Sequence, residues 1–205
     1  FVQLLARDYE GKLSEDADEY IQFIVDGTRR MQGMIEGLLE YSRVGRWGEG
    51  PRRIDAGTAL AGALQNLRLT IEETGTQVAV PDELPVVHAD ESELLRLFQN
   101  LIANAIKYGP EEGMPEVAVS VERVGDAWRF AVRDNGIGIA EKDHERIFGI
   151  FQRLHARDAA SGTGIGLSVC RKIVEHHGGE MWLDSAPGKG STFYFTLPAV
   201  DAPTD

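Results

Sequence analysis

Asp134-Asn-Gly-Ile-Gly-Ile139, read together with Gly162-Thr-Gly-Ile-Gly-Leu167 further along, decides how this chain folds. Either turn alone says little, because glycine recurs wherever a backbone takes positive φ. The pair says more. The first turn is led by a carboxylate that can accept from the amino group of a base. The second runs straight into a helix, where backbone N–H groups favour phosphate. Between them lies the aromatic run Ile147-Phe-Gly-Ile-Phe-Gln-Arg153. The pattern predicts a nucleotide clamp rather than two ordinary loop turns.

The second turn feeds a helix from Gly166 to His177, stopped by Gly178-Gly179. Strands Met181 to Asp184 and Ser191 to Leu197 follow, flanking Pro187-Gly-Lys-Gly190. Before the first turn, Glu116 to Val124 and Ala127 to Arg133 alternate apolar and polar residues around Gly125-Asp126, which predicts a β-hairpin. Asp90 caps a helix from Glu91 to Tyr108. Ile54 to Thr74 is helix-forming and ends at Gly75, and Gln77 to Val80 and Pro85 to Val87 read as short strands around a Pro-Asp turn. The hairpins imply antiparallel pairing. The expected fold class is α+β, a two-layer α/β sandwich with one sheet covered by helices.

The first residues differ in kind. Phe1 to Ala6 is helical in pattern, Gly11-Lys-Leu-Ser14 breaks it, and Ser14 is placed to cap a second helix with Glu15, Asp16 and Asp18 at its positive end. That helix carries Ile21, Ile24, Thr28, Met31, Ile35, Leu38 and Ser42, with gaps alternating three and four. This is a seam suited to bundle packing. A short hairpin cannot bury the stripe alone, so a second copy completing a four-helix bundle is expected; docking on the chain's own globular part is the alternative. Gly45, Gly48, Gly50 and Pro51 mark a connector. The expected division is a helical hairpin over 1–46, a linker over 47–54, a globular domain over 55–200 and a tail over 201–205.

Bulk properties bound the function. Lys and Arg number 21 against 33 Asp and Glu, a formal charge of −12 that opposes nucleic acid as a partner. The single cysteine, Cys170, excludes a disulfide framework and reads as a core residue. No apolar run reaches membrane-spanning length and no signal peptide is visible, so a cytoplasmic fragment without membrane contact is expected. Its parent protein could be soluble or membrane-tethered.

Asn100, Asn104 and Lys107 share one face of the 91–108 helix. Buried polar groups without partners cost a few kcal/mol each, so a strip of two amides and an ammonium between Leu97, Leu101 and Ile102 suggests a ligand. Asn104 offers an oxygen of the kind Mg²⁺ prefers, and Lys107 a charge for phosphate.

Here a resemblance becomes specific. Asn100-Leu-Ile-Ala-Asn-Ala-Ile-Lys-Tyr108 resembles the N box of sensor histidine kinases of two-component systems. Asp134-Asn-Gly-Ile-Gly138 resembles the first glycine box, Phe148-Gly-Ile-Phe151 the F box, and Gly162-Thr-Gly-Ile-Gly166 the second glycine box, all in the family's order. Gly188-Lys-Gly-Ser-Thr-Phe193 is similar to the family's last glycine turn, and Phe151-Gln-Arg-Leu-His155 to phytochrome-type and related soluble-sensor kinases. The resemblance implies the histidine kinase/gyrase type of ATP-binding sandwich, preceded by part of the dimerisation and phosphotransfer hairpin.

The same resemblance implies ATP and Mg²⁺ as ligands. Asp134 would bind the adenine amino group, Asn104 the metal, and Lys107 and Tyr108 the phosphates or the ribose side. Asn100, Gly136, Gly138, Ile139, Phe151, Gly162, Thr163, Gly164, Ile165, Gly166 and Leu167 would complete the pocket. Residues 153–162 would form a lid, and Thr192 would be either a residue behind the adenine or a plain strand residue. The related ATPases carry Glu where Asn100 stands; an amide cannot deprotonate water, which favours transfer over hydrolysis.

The implied partners are a second copy, a response-regulator receiver domain and an upstream sensor. The family's phosphoacceptor His, followed by an acidic residue, belongs in the first hairpin helix. His88, His144, His155, His176 and His177 all lie in the ATP-binding part, so no acceptor is assigned among them and it is expected upstream. A catalytically silent nucleotide-binding scaffold is the second reading.

Overall fold

The computed structural model describes residues 1–9, 11–46, 50–154 and 163–200, the side chain of Glu15 excepted. Helices α1 (Val2–Tyr9) and α2 (Glu15–Arg43) form the hairpin. Ser14 caps α2, its hydroxyl accepting from the Ala17 N–H at 3.4 Å. Strand β1 (Arg52–Asp55), helix α3 (Ala56–Thr74), strands β2 (Gln77–Ala79) and β3 (Val86–Ala89), and helix α4 (Glu91–Lys107) come next. The hairpin strands β4 (Glu116–Val124) and β5 (Ala127–Asp134), helix α5 (Gly166–His176) and strands β6 (Met181–Ser185) and β7 (Ser191–Pro198) complete the order.

The main sheet runs β2-β4-β5-β7-β6, antiparallel except for the parallel pair β2 and β4. Helix α4 lies over β4 and β5, and α5 over β6 and β7, which gives the expected two-layer sandwich. The core centres on three rings. Phe98 of α4 meets Phe130 and Phe195 edge-on at 6.0 and 5.7 Å, and those two strand rings stack at 4.9 Å. Leu94, Leu97, Leu101 and Ile102 beside Phe98 are fully buried, each contributing about 1.5–3 kcal/mol of apolar transfer. Cys170 is buried too, and burial pushes its thiol up to about 12.

Two local expectations change. Ile54 does not begin a helix; it sits in β1 opposite Val87 of β3, in a separate two-stranded sheet. The helix starts two residues later because the Asp55 carboxylate accepts the Gly57 N–H at 2.8 Å. Strands β2 and β3 do not pair across their turn: β2 joins β4 in parallel and β3 joins β1.

Helix α2 has two unlike faces. Towards the sandwich, the Lys172 ammonium donates to the Tyr41 carbonyl at 2.7 Å, and the Gly45 N–H to Glu93 Oε1 at 2.8 Å. Gly33 and Gly37 approach Thr163 and Ile165 so closely that a Cβ would meet them at 2.8 and 2.6 Å. Away from it, Ile24, Met31, Ile35 and Leu38 are 49%, 57%, 61% and 49% exposed. Among the described residues no helix is long and apolar enough to cross a membrane.

Candidate functional site

Three glycine turns converge on the C-terminal end of α4. Asp134 closes β5, and its Oδ1 accepts the N–H of Gly136 at 2.8 Å and of Ser191 at 3.0 Å. Burial pushes this carboxyl above its ordinary value; the two N–H groups pull against that and do not cancel it. The turn is pressed onto its neighbours. The Ile137 N–H donates to the Tyr108 carbonyl at 3.1 Å, and the Gly188 N–H to the Ile137 carbonyl at 2.7 Å. Gly138 has φ +68°, and a Cβ there would lie 2.0 Å from the Ala186 carbonyl oxygen. A Cβ on Gly190 would lie 2.1 Å from that of Asp134. Only glycine permits these approaches.

The turns and α4 enclose a cavity of about 290 Å³. Helix α4 contributes Asn100, Asn104 and Lys107, with Tyr108 at its end; the first turn contributes Asp134, Gly138 and Ile139. Thr163, Gly164, Gly166 and Leu167 come from the second turn, and Gln152, Arg153, Ser191 and Phe193 also line the wall. The Lys107 ammonium donates to the Tyr108 hydroxyl at 2.8 Å, so the two act as a unit. The Nη2 of Arg153 is buried and meets no hydrogen-bond acceptor among the described residues. A guanidinium nitrogen left so is costly unless an acceptor reaches it.

Other anticipated residues stand back from the cavity. Gly136 lies under the Tyr108 carbonyl, where a Cβ would come within 2.0 Å. Ile165 is buried against Gly37 of α2. Phe151 is exposed and takes φ +63°, a conformation that costs a non-glycine residue about 1–3 kcal/mol. Thr192 is flanked by Ser191 and Phe193, which line the wall, so strand alternation turns Thr192 to the other side of the sheet. Gly162, His155 and the rest of the expected lid beyond Leu154 up to Gly162 lie outside the described residues.

Two residues not anticipated, Ser185 and Ser191, tie the turns together. The Ser185 hydroxyl accepts the Ile139 N–H at 2.8 Å, donates to the Gly190 carbonyl at 2.9 Å and lies 2.9 Å from Ser191 Oγ. Ser191 was legible from the period of two, since Phe193, Phe195 and Leu197 fix the inward side of β7.

None of the described histidines lies on α1 or α2. His88 is exposed on β3, and a His144 ring nitrogen lies 3.2 Å from the Ile139 carbonyl. His176, His177 and Glu93 cluster beside Gly45, with His176 Nδ1 2.9 Å from Glu93 Oε2. His177 accepts the Asp90 N–H at Nε2 and lies 2.8 Å from the Ile173 carbonyl through Nδ1, so both ring nitrogens are committed and it is no metal ligand.

Over residues 89–201 the sequence matches the family described as histidine kinase-, DNA gyrase B- and HSP90-like ATPase. The chain belongs to that family. Among its relatives, cyanobacterial phytochrome A of Nostoc sp. (strain PCC 7120) is 48% identical over 198 residues, covering 97% of this chain and 26% of that protein. The adaptive-response sensory kinase SasA of Synechococcus sp. (strain JA-3-3Ab) is 34% identical over 204 residues, 96% of this chain and 53% of that protein. The chain thus spans about a quarter of the phytochrome's length and about half of the sensory kinase's. The catalytic domain of histidine kinase ThkA superposes with a TM-score of 0.62 at 26% identity, over 72% of this chain and 95% of that domain. The chain is therefore a histidine kinase-type catalytic core with its ATPase-family sandwich and an attached helical hairpin.

Proposed function

We propose that the cavity binds Mg-ATP and that the protein is a histidine kinase, passing the γ-phosphate to a histidine upstream of residue 1 for relay to a response-regulator Asp. One observation carries this: a single cavity combines an acceptor, Asp134, that has no cationic partner among the described residues, with a buried guanidinium nitrogen, Arg153 Nη2, that has no acceptor among them. Adenine supplies the donor and phosphate the anion. Asn104 would hold the magnesium, which would supply positive charge to offset that of the phosphates. Lys107 with Tyr108, and the backbone at Thr163 and Gly164, orient the phosphates. Asn100 sits beside Gly166 as an amide, which leaves no general base for water in its place and favours transfer over hydrolysis.

The reading includes the division into hairpin 1–46, linker 47–54, catalytic domain 55–200 and tail 201–205, with the end of the linker already paired to β3. It includes a homodimer through the open face of α2, a receiver domain and an upstream sensor as partners, a lid over 153–162, and a cytoplasmic location. The test is transfer from γ-labelled ATP to the full-length protein. Acid-labile, alkali-stable label is expected. ATP bound without any label supports the silent scaffold instead, and absence of ATP binding overturns both.

A further inference from the structure

The hydroxyl of Ser185 stands behind the cavity wall on β6, and its three bonds can be assigned proton by proton. The Gly190 carbonyl only accepts, so the single Ser185 proton is committed to it at 2.9 Å. The Ile139 N–H only donates, and at 2.8 Å it takes one of the two lone pairs. One lone pair is left, and Ser191 Oγ faces it at 2.9 Å. The proton in that bond therefore comes from Ser191. With its proton spent, Ser191 offers the cavity lone pairs only, and its own N–H is held by Asp134 Oδ1 at 3.0 Å. Asp134 likewise only accepts when ionised. The base-binding end is an acceptor pair whose polarity is set from behind.

We infer that Ser185 is a positioning residue that sets base specificity: by fixing the Ser191 hydroxyl as an acceptor, it makes the site admit a 6-amino purine and reject a 6-oxo one. The inference rests on the ATP reading of the cavity. A 6-oxo purine presents an oxygen where the site has no proton to give, and an unmatched polar group in such a pocket is strongly selected against. A free Ser191 hydroxyl would rotate and donate, which would relax that selection. A purely structural role, in which Ser185 only staples the turns, would weaken all nucleotides alike.

The experiment is calorimetric titration with ADP and with inosine diphosphate, whose base carries a 6-oxo group in place of the amino group. The wild type is expected to prefer ADP. Ser185→Ala should shrink the preference about five- to tenfold, and Ser185→Thr, which keeps the hydroxyl, should restore it. Because Ser185 acts through Ser191, adding Ser185→Ala to Ser191→Ala should change the preference no further. An unchanged preference in Ser185→Ala, or a shift that persists in the Ser191→Ala background, overturns the inference. If Ser185→Ala does not fold, Ser191→Ala alone decides, and full retention of the preference there overturns it. A wild type that binds neither nucleotide rejects the cavity reading itself, a result distinct from binding without discrimination.

Discussion

Helices α4 and α2 are both amphipathic, yet they end in opposite situations. The stripe of α4 is closed within the chain: Leu94, Leu97, Phe98 and Leu101 are fully buried under β4 and β5, and its polar edge faces the cavity. Helix α2 docks through its glycines on one side and leaves Ile24, Met31, Ile35 and Leu38 about half exposed on the other. A seam of that width left open is unusual for a stable surface, and each residue, already about half covered, has roughly half of the 1.5–3 kcal/mol of full burial still to gain from a partner. Periodicity announces that a face will be covered; only the fold says by what.

The larger losses are expected in α4. Phe98→Ala removes the ring at the centre of the aromatic cluster, and we expect a loss of about 3–5 kcal/mol in chemical denaturation. A loss below about 1 kcal/mol would mean the core is not organised around it. On the polar edge of the same helix, Asn104→Ala should weaken the magnesium dependence of ADP binding about tenfold. Titrations with and without the metal would reject the role if that dependence stayed as in the wild type.

The cap of α4 gives a smaller effect with a pH signature. Burial opposes the charge on Asp90, but the Ser92 hydroxyl and the N–H groups of Glu93, Ser92 and Gly50 outweigh it and hold the carboxyl below its ordinary value of 3.8. A depressed folded-state value stabilises above 3.8, and the contribution fades as pH falls through the lower folded value. Asp90→Ala should therefore cost about 1 kcal/mol near neutrality, and the gap to the wild type should close in acid. A gap independent of pH would contradict the assignment.

The counterpart on α2 should barely touch the stability of the sandwich. Ile35→Glu with Leu38→Glu should shift the melting of the α/β part by less than about 0.5 kcal/mol, as exposed positions do, while converting a dimer to monomers. Mass measurement at tens of micromolar checks it, and a monomeric wild type would remove the proposed bundle.

Much of this was legible in local sequence. The glycine turns, the caps at Ser14 and Asp90, the β4–β5 hairpin and the amide strip of α4 are set by neighbours within a few residues. The rest depends on distant partners. Arg52 and Arg53 read as connector and Ile54 and Asp55 as the start of a helix, because a four-residue strand has no pattern of its own; β1 exists through β3. The parallel pairing of β2 with β4 left no turn signal to read. Ser185 was missed because its meaning lies in Ile139 and Gly190, contributed by two different turns. Gly33 and Gly37 carry no local signal of their role, which lies in the close approach of Thr163 and Ile165.

Asp134 is the proposed anchor for an amino-bearing base, and every other role in the cavity is arranged around it. Calorimetric titration of ATP into the wild type and Asp134→Asn tests it directly. We expect measurable binding in the wild type and a loss of at least about a hundredfold in the variant, since a desolvated charged acceptor is replaced by an amide. Affinity for ATP unchanged in Asp134→Asn would contradict the account.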